Sequence, residues 1–342
     1  MSLATRPQAW RAALTLVALA IASTQLLTLQ RNAATASTLP AATSTHPLHD
    51  VIGIVGPRPF RMAVLRNTSG EWLSEILRAN GRMMPIETAI FDHVLASACA
   101  RGARLGAPHV PQVIDVGANL GYFGLRAASH GCSVLMLEPN PQLAALIAVS
   151  IEANNWAHRV QVINAGVGEA PGTMRFRDAA QPSLAHLEPD GPDTALLPLV
   201  PVVTLDSLFR DRAFLDVLLL KIDVEGYEQH VISGLLPACS RVALHNVVLE
   251  VKRPTAEATL RLAASCMNAT AAALGLATWK SHWFGESYTV GGYLYTAPWD
   301  SYYAEQRYGV LKTGESPHVY NSEDVWLSVT DGWWHAPTSQ AT

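Results

Sequence analysis

The stretch Val113-Ile114-Asp115-Val116-Gly117-Ala118-Asn119-Leu120-Gly121 decides the fold. Residues 113–116 read as a short buried strand, two glycines mark a turn, and residues 122–129 take up helical spacing. In open α/β sheets a ligand binds outside the carboxyl ends of the strands, so this strand-to-helix turn is where one is expected. Gly117 and Gly121 would let the backbone approach that ligand with no Cβ in the way. Their GxxxG spacing departs from the GxGxxG dinucleotide fingerprint and offers no close cradle for a pyrophosphate, which argues against NAD or FAD.

Outward from this turn the pattern alternates. Residues 133–137 read as a second strand ending at Glu138, 23 residues beyond Asp115. An acid about 20 residues past such glycines commonly accepts hydrogen bonds from ribose hydroxyls. Asp115 adds negative charge nearby, which favours a positively charged nucleoside over a phosphorylated one. A glycine pair alone is also an ordinary tight turn; the two acids at this spacing carry the ligand reading.

Asn140 and Pro141 suit the start of a helix over 141–154, followed by a third strand at 160–163. A polar, Pro-rich interruption fills 178–200, then come strand 202–204 and a short turn of helix at 205–208. Strand 217–222 runs into helix 227–236, strand 242–251 into a long Ala-rich helix at 255–274, and a helix over 84–103 precedes the whole series. Strands alternating with helices predict an α/β fold with a mostly parallel sheet covered on both faces. Residues 288–290 and 293–295, joined by Gly291-Gly292, read as a closing antiparallel hairpin.

Four stretches, VIDVGANLGYFGL (113–125), LEPNP (137–141), VTLDSL (203–208) and LLKIDVEGYEQHVISG (219–234), resemble the FkbM-type methyltransferases. The similarity spans about residues 84–252. It implies a Rossmann-like class I methyltransferase fold, a seven-stranded sheet with an antiparallel last pair, and S-adenosyl-L-methionine as cofactor. Residue by residue, Asp115, Gly117, Asn119 and Gly121 match the first cofactor loop and Glu138 the ribose acid. Asn164 to Gly168 (NAGVG) matches the loop that lies near the adenine in the family. The insertion at 178–200 and the aromatic tail after residue 280 match nothing in that pattern, which leaves the acceptor pocket undefined.

Methyl transfer is an in-line displacement, and a hydroxyl acceptor must also lose a proton. Lys221, Asp223, Glu225 and Glu228 cluster at the carboxyl end of strand 217–222. Asp223 or Glu225 is therefore expected to orient the acceptor or take its proton. In the competing reading Asp223 touches the cofactor amino group and Glu225 offsets a helix dipole. Asp223 with Glu250 is a weak divalent-metal signal, and no metal is assigned. His230 and His245 read as structural. Trp279, Trp283, Trp299, Trp326, Trp333 and Trp334 could stack on a planar acceptor but more commonly fill a core.

Of the 342 residues, 49% are hydrophobic and 15% charged, so a sizeable core is feasible. A net charge of −4 gives no basic footprint for a nucleic-acid backbone, so the acceptor is expected to be a small molecule, glycan or lipid. Cys99, Cys132, Cys239 and Cys266 show no CxxC; buried free thiols are expected, with disulfides an option in an oxidising lumen.

No acid precedes Asp50, and residues 12–29 form a mainly apolar run between Arg11 and Arg31. A signal anchor with a lumenal domain in the ER or Golgi is expected, with a cleaved signal peptide or an organelle transit peptide as alternatives. Residues 1–31 thus read as an anchor or targeting segment, 32–50 as a flexible stem, 51–297 as the methyltransferase domain and 298–342 as an aromatic-rich extension. Two sequons, at Asn67 and Asn268, are compatible with a lumenal domain. A catalytically silent domain that serves protein contacts is the reading from a different class.

Overall fold

The computed structural model describes residues 49–66, 72–104, 112–177, 185–212, 216–252, 256–273, 280–284, 288–290, 293–295 and 322–328. The segment expected to anchor or export the chain lies outside these residues. Among the described residues no helix is long and apolar enough to cross a membrane.

The main sheet is built from β3 (Gln112–Val116), β4 (Ser133–Leu137), β5 (Val160–Ile163), β10 (Asp216–Ile222), β12 (Asn246–Lys252), β13 (Lys280–Phe284) and β16 (Ser322–Ser328). Their spatial order is β13-β16-β12-β10-β3-β4-β5, with the two-residue β11 (Ala243–Leu244) also pairing on β10. In this sheet β5, β4, β3, β10 and β12 run parallel, and β16 is antiparallel to both neighbours. The fold is thus α/β with seven strands along the path and an antiparallel end, as the family resemblance implies.

Both faces are covered because the strands are apolar on both. Val113 and Leu219 join one core cluster with α1 (Trp72–Asn80), α2 (Pro85–Arg104), α3 (Tyr122–Ser129) and α4 (Pro141–Ala153). Ile114, Val116, Leu220 and Ile222 join the other, against α5 (Leu205–Arg212), α6 (Glu228–Ser233) and α7 (Ala256–Ala273). This alternation follows from the period-2 geometry of strands.

Several elements differ from the sequence reading. Residues 49–65 form an antiparallel hairpin, β1 (His49–Ile54) with β2 (Phe60–Leu65). It is fastened to α4 where Ser150 Oγ accepts from Ala63 N at 2.9 Å and Asn154 Oδ1 from Arg61 N at 2.9 Å. The stretch 166–203, within which residues 178–200 read as an interruption, supplies a second sheet. In it β6 (Gly166–Val167), β9 (Leu199–Val203), β7 (Gly172–Arg177) and β8 (His186–Glu188) stand in that order.

The hairpin β14 (Tyr288–Val290) and β15 (Tyr293–Tyr295) exists but stands as its own two-stranded sheet. The antiparallel end of the main sheet is β16 instead, drawn from the stretch read as an extension. There Trp326 is buried, and its Nε1 donates to Asn246 Oδ1 at 3.1 Å. It fills core and does not offer a stacking face; the other tryptophans of the tail lie outside the described side chains.

The expectation of free thiols is corrected as well. Cys239 and Cys266 form a disulfide, Cys132 is also disulfide-bonded, and among the described residues no cysteine is free.

Candidate active site

At the carboxyl ends of β3, β4 and β10 lies an open crevice, the place where open α/β sheets bind ligands. Its floor is the first loop. Gly117 and Gly121 take left-handed φ of 75° and 85°, and Asn119 follows at 54°, a conformation Asn tolerates better than most residues. A Cβ built on Gly117 would overlap the Asp223 carbonyl oxygen, so the first loop and the end of β10 touch only because no side chain separates them.

Glu138 borders the crevice at the end of β4. Its Oε2 accepts from Asn119 N at 2.8 Å and its Oε1 from Asn140 N at 2.7 Å, which ties the first loop to the start of α4. Burial pushes this carboxyl up to about 8, and the two N–H donors only partly offset that. Asn140 caps α4 by accepting from Gln142 N at 2.9 Å. Asn164 Nδ2 donates to the carbonyls of Glu138 and Pro139 at 2.8 and 2.9 Å. It shapes the crevice from behind, while Ala165, Gly166 and Val167 line it. Gly168 also stands behind that lining, next to Val202 and Tyr227.

Asp115 departs from its expected place. It is 1% exposed and does not line the crevice. Parallel pairing sets it beside Lys221 on one sheet face, with Lys221 Nζ 4.0 Å from Asp115 Oδ1. Asp115 Oδ2 accepts from Gly124 N at 2.9 Å at the start of α3. Burial raises its pKa, against the pull of Lys221. Its charge is therefore used one layer beneath the crevice.

On the opposite wall stand Asp223 and Glu225. Lys221 Nζ donates to Asp223 Oδ2 at 2.9 Å and lies over the Phe123 ring at 5.3 Å. Glu225 is left-handed at φ 57°, and Gly226 continues the loop at φ 99°. Such a conformation costs a non-glycine residue about 1–2 kcal/mol, so something must hold it. Glu228 does so: fully buried, its Oε1 accepts from Val224 N at 3.2 Å and Gly226 N at 2.9 Å. Burial raises the Glu228 carboxyl pKa. Sequence reading placed Glu228 in this cluster without giving it that task; its position two residues after a Glu-Gly turn was the available signal.

Ala185, His186 and Leu187 of the second sheet complete the lining. Nothing in the sequence pattern placed them there. His186 Nε2 lies 3.3 Å from Glu188 Oε1, and Arg177 Nη2 donates to Glu188 Oε2 at 2.8 Å. Glu250 lies outside the lining, and among the described residues no cluster of three or more His, Cys, Asp or Glu could hold a metal.

The lining carries three carboxyl groups (Glu138, Asp223, Glu225) and, among the described residues, no Lys or Arg. Such a wall repels phosphate and favours a cationic ligand.

Residues 115–266 match the family model described as the methyltransferase FkbM domain. Ribosomal RNA small subunit methyltransferase J of Cronobacter sakazakii (strain ATCC BAA-894) is 31% identical over 170 residues, or 46% of this chain. The chain spans only 58% of that relative's length. Among solved structures, an O-methyltransferase from Bacillus cereus in complex with SAH is 13% identical with a TM-score of 0.37, over 78% of this chain and 91% of that one. A SAM-dependent methyltransferase from Agrobacterium tumefaciens is 8% identical with a TM-score of 0.42, over 84% and 72%. At such values the likeness says nothing about what this chain acts on. The family match and the sheet order agree: residues 115–266 are similar to the FkbM methyltransferase domain, and the α/β sheet has the antiparallel end that this resemblance implies.

Proposed function

We propose that the crevice binds S-adenosyl-L-methionine and that the protein methylates a hydroxyl or carboxyl of a glycan, lipid or small metabolite. The observation that carries the cofactor reading is the acidic lining beside a loop that only glycine can form. The cofactor supplies a methyl group on a sulfonium, whose positive charge this lining suits.

Glu138 receives the ribose hydroxyls and Ala165 to Val167 flank the adenine. Gly117 and Asn119 bring backbone against the ligand, while Gly121, Asn164 and Gly168 set the loops around it. Asp115 acts through Lys221, which it holds beside Asp223. With one oxygen spent on Lys221, Asp223 is the orienting carboxylate. Glu225, presented by the turn that Glu228 braces, takes the acceptor's proton.

A nucleic-acid acceptor is the second reading, because the relative from Cronobacter sakazakii is named for ribosomal RNA. The net charge of −4 weighs against it. The test is to incubate the full chain with methyl-labelled cofactor and cell glycans, lipids, metabolites and RNA in separate fractions. We expect label in a non-nucleic fraction, at least 100-fold less with Glu225→Gln, and cofactor affinity within about threefold of wild type. Label in RNA alone would select the second reading. Cofactor binding with no transfer to any fraction would select a catalytically silent domain.

A further inference from the structure

Helix α7 is docked by one face. Leu260, Ala263, Cys266, Met267, Thr270 and Ala271 are buried, whereas Arg261, Ser265, Asn268 and Ala272 recur at helical spacing on the exposed side. Cys266, on the docked face, is bonded to Cys239 at the end of the 3-10 turn Leu236–Ala238. Two residues further on, Asn268-Ala269-Thr270 has the form of an N-glycosylation acceptor. This triplet crosses the helix from outside to inside. Asn268 faces solvent, while Thr270 is fully buried with its Oγ1 donating to Cys239 O at 3.3 Å.

We infer that Asn268 carries an N-linked glycan, attached in the oxidising lumen where the Cys239–Cys266 bond forms. Two independent features meet on one helix. Disulfides persist in oxidising compartments and are rare in reducing ones, and here no described cysteine is free. The acceptor asparagine sits mid-stripe on the solvent face of the helix, where a bulky polar group can extend into water. The sequon at Asn67 lies outside the described residues and carries none of this argument.

The covalent steps balance with two co-reactants of the lumen. The Asn268 amide nitrogen bonds to the anomeric carbon of a lipid-pyrophosphate-linked oligosaccharide, the carbon–oxygen bond to phosphate breaks, and the amide gives up one proton as the lipid pyrophosphate leaves. The Cys239 and Cys266 thiols lose two electrons and two protons to an oxidised dithiol carrier. Order follows from geometry. The Thr270 hydroxyl is locked against Cys239 once α7 docks, so the glycan is added to the undocked segment, before the disulfide closes. The inference is independent of the methyl-transfer reading.

The test is to express the full chain in cultured eukaryotic cells, so that its own N-terminal segment routes it. The purified protein is digested without reduction, treated with peptide N-glycosidase and mapped by mass. We expect Cys239 and Cys266 in one linked peptide and Asn268 converted to aspartate by the glycosidase. Asn268→Gln should remove that conversion with a melting midpoint within about 2 °C of wild type, as for an exposed surface change. Thr270→Ser, which keeps the acceptor triplet, should retain it. An unmodified Asn268 in chains whose Cys239–Cys266 bond is formed would overturn the inference, and so would alkylation of both cysteines as free thiols.

Discussion

Glu138 concentrates the residue-scale physics. Its carboxyl sits near 8 because burial outweighs the two N–H donors, so the unliganded site holds a proton at neutral pH. A cationic ligand favours the carboxylate, so binding should expel that proton. S-adenosyl-L-methionine affinity is then expected to rise with pH to about 8, by at most about tenfold per unit. Calorimetry in buffers of different ionisation enthalpy reads the proton directly. Glu138→Gln should flatten the dependence and weaken binding roughly 10- to 100-fold. Stability runs the other way. A pKa raised above its ordinary 4.5 contributes fully below that value and is lost as pH climbs through about 8. The urea midpoint of Glu138→Gln relative to wild type should therefore rise between those limits, and a flat difference would refute the assignment. At Gly117, an alanine meets the Asp223 carbonyl at a φ that already disfavours it. Gly117→Ala should destabilise by on the order of 3 kcal/mol, read as a lower melting midpoint.

Among elements, the turn from β10 into α6 is the most revealing. Glu228→Ala removes the acceptor of two backbone N–H groups and frees Glu225 from its left-handed conformation. Transfer should fall on the order of 100-fold with cofactor affinity little changed, because a displaced base costs orientation more than binding. Equal losses in both would show a merely structural role. The disulfide acts on α7: joining positions 27 residues apart is worth about 3.5 kcal/mol in the chain-entropy account, so reductant should lower the melting midpoint. Legibility also divides by element. Strands β3, β4, β5 and β10 were plain from their apolar runs, and Asn140-Pro141 marked the start of α4. Strands β6 and β8 have two and three residues, too few for any period to show. Asp115 was misplaced because a strand buried on both faces does not declare which face meets the ligand; the register with Lys221 decides that.

At the scale of the molecule, the sheet order β13-β16-β12-β10-β3-β4-β5 brings the ends of β3, β4 and β10 side by side. The crevice is a product of that order, which the motif at 113–121 implied without naming its walls. Sequence reading named Glu138, Asp223 and Glu225, which line the crevice, because each closely follows the carboxyl end of a strand. It missed His186 and Leu187 because their arrival depends on a second sheet folding back over 166–203. Strand β16 was missed for a related reason: its partner β12 is more than 70 residues away in sequence, as Asn246 pairing with Ser328 shows.

The central claim is that this acidic crevice holds a positively charged sulfur nucleoside. A crystal structure of the full chain with S-adenosylhomocysteine tests it most directly. The account predicts ribose hydroxyls on Glu138, the adenine against Ala165 to Val167 and the sulfur toward Asp223. A nucleoside bound elsewhere, or a Glu138 carboxyl turned away from it, would contradict the account.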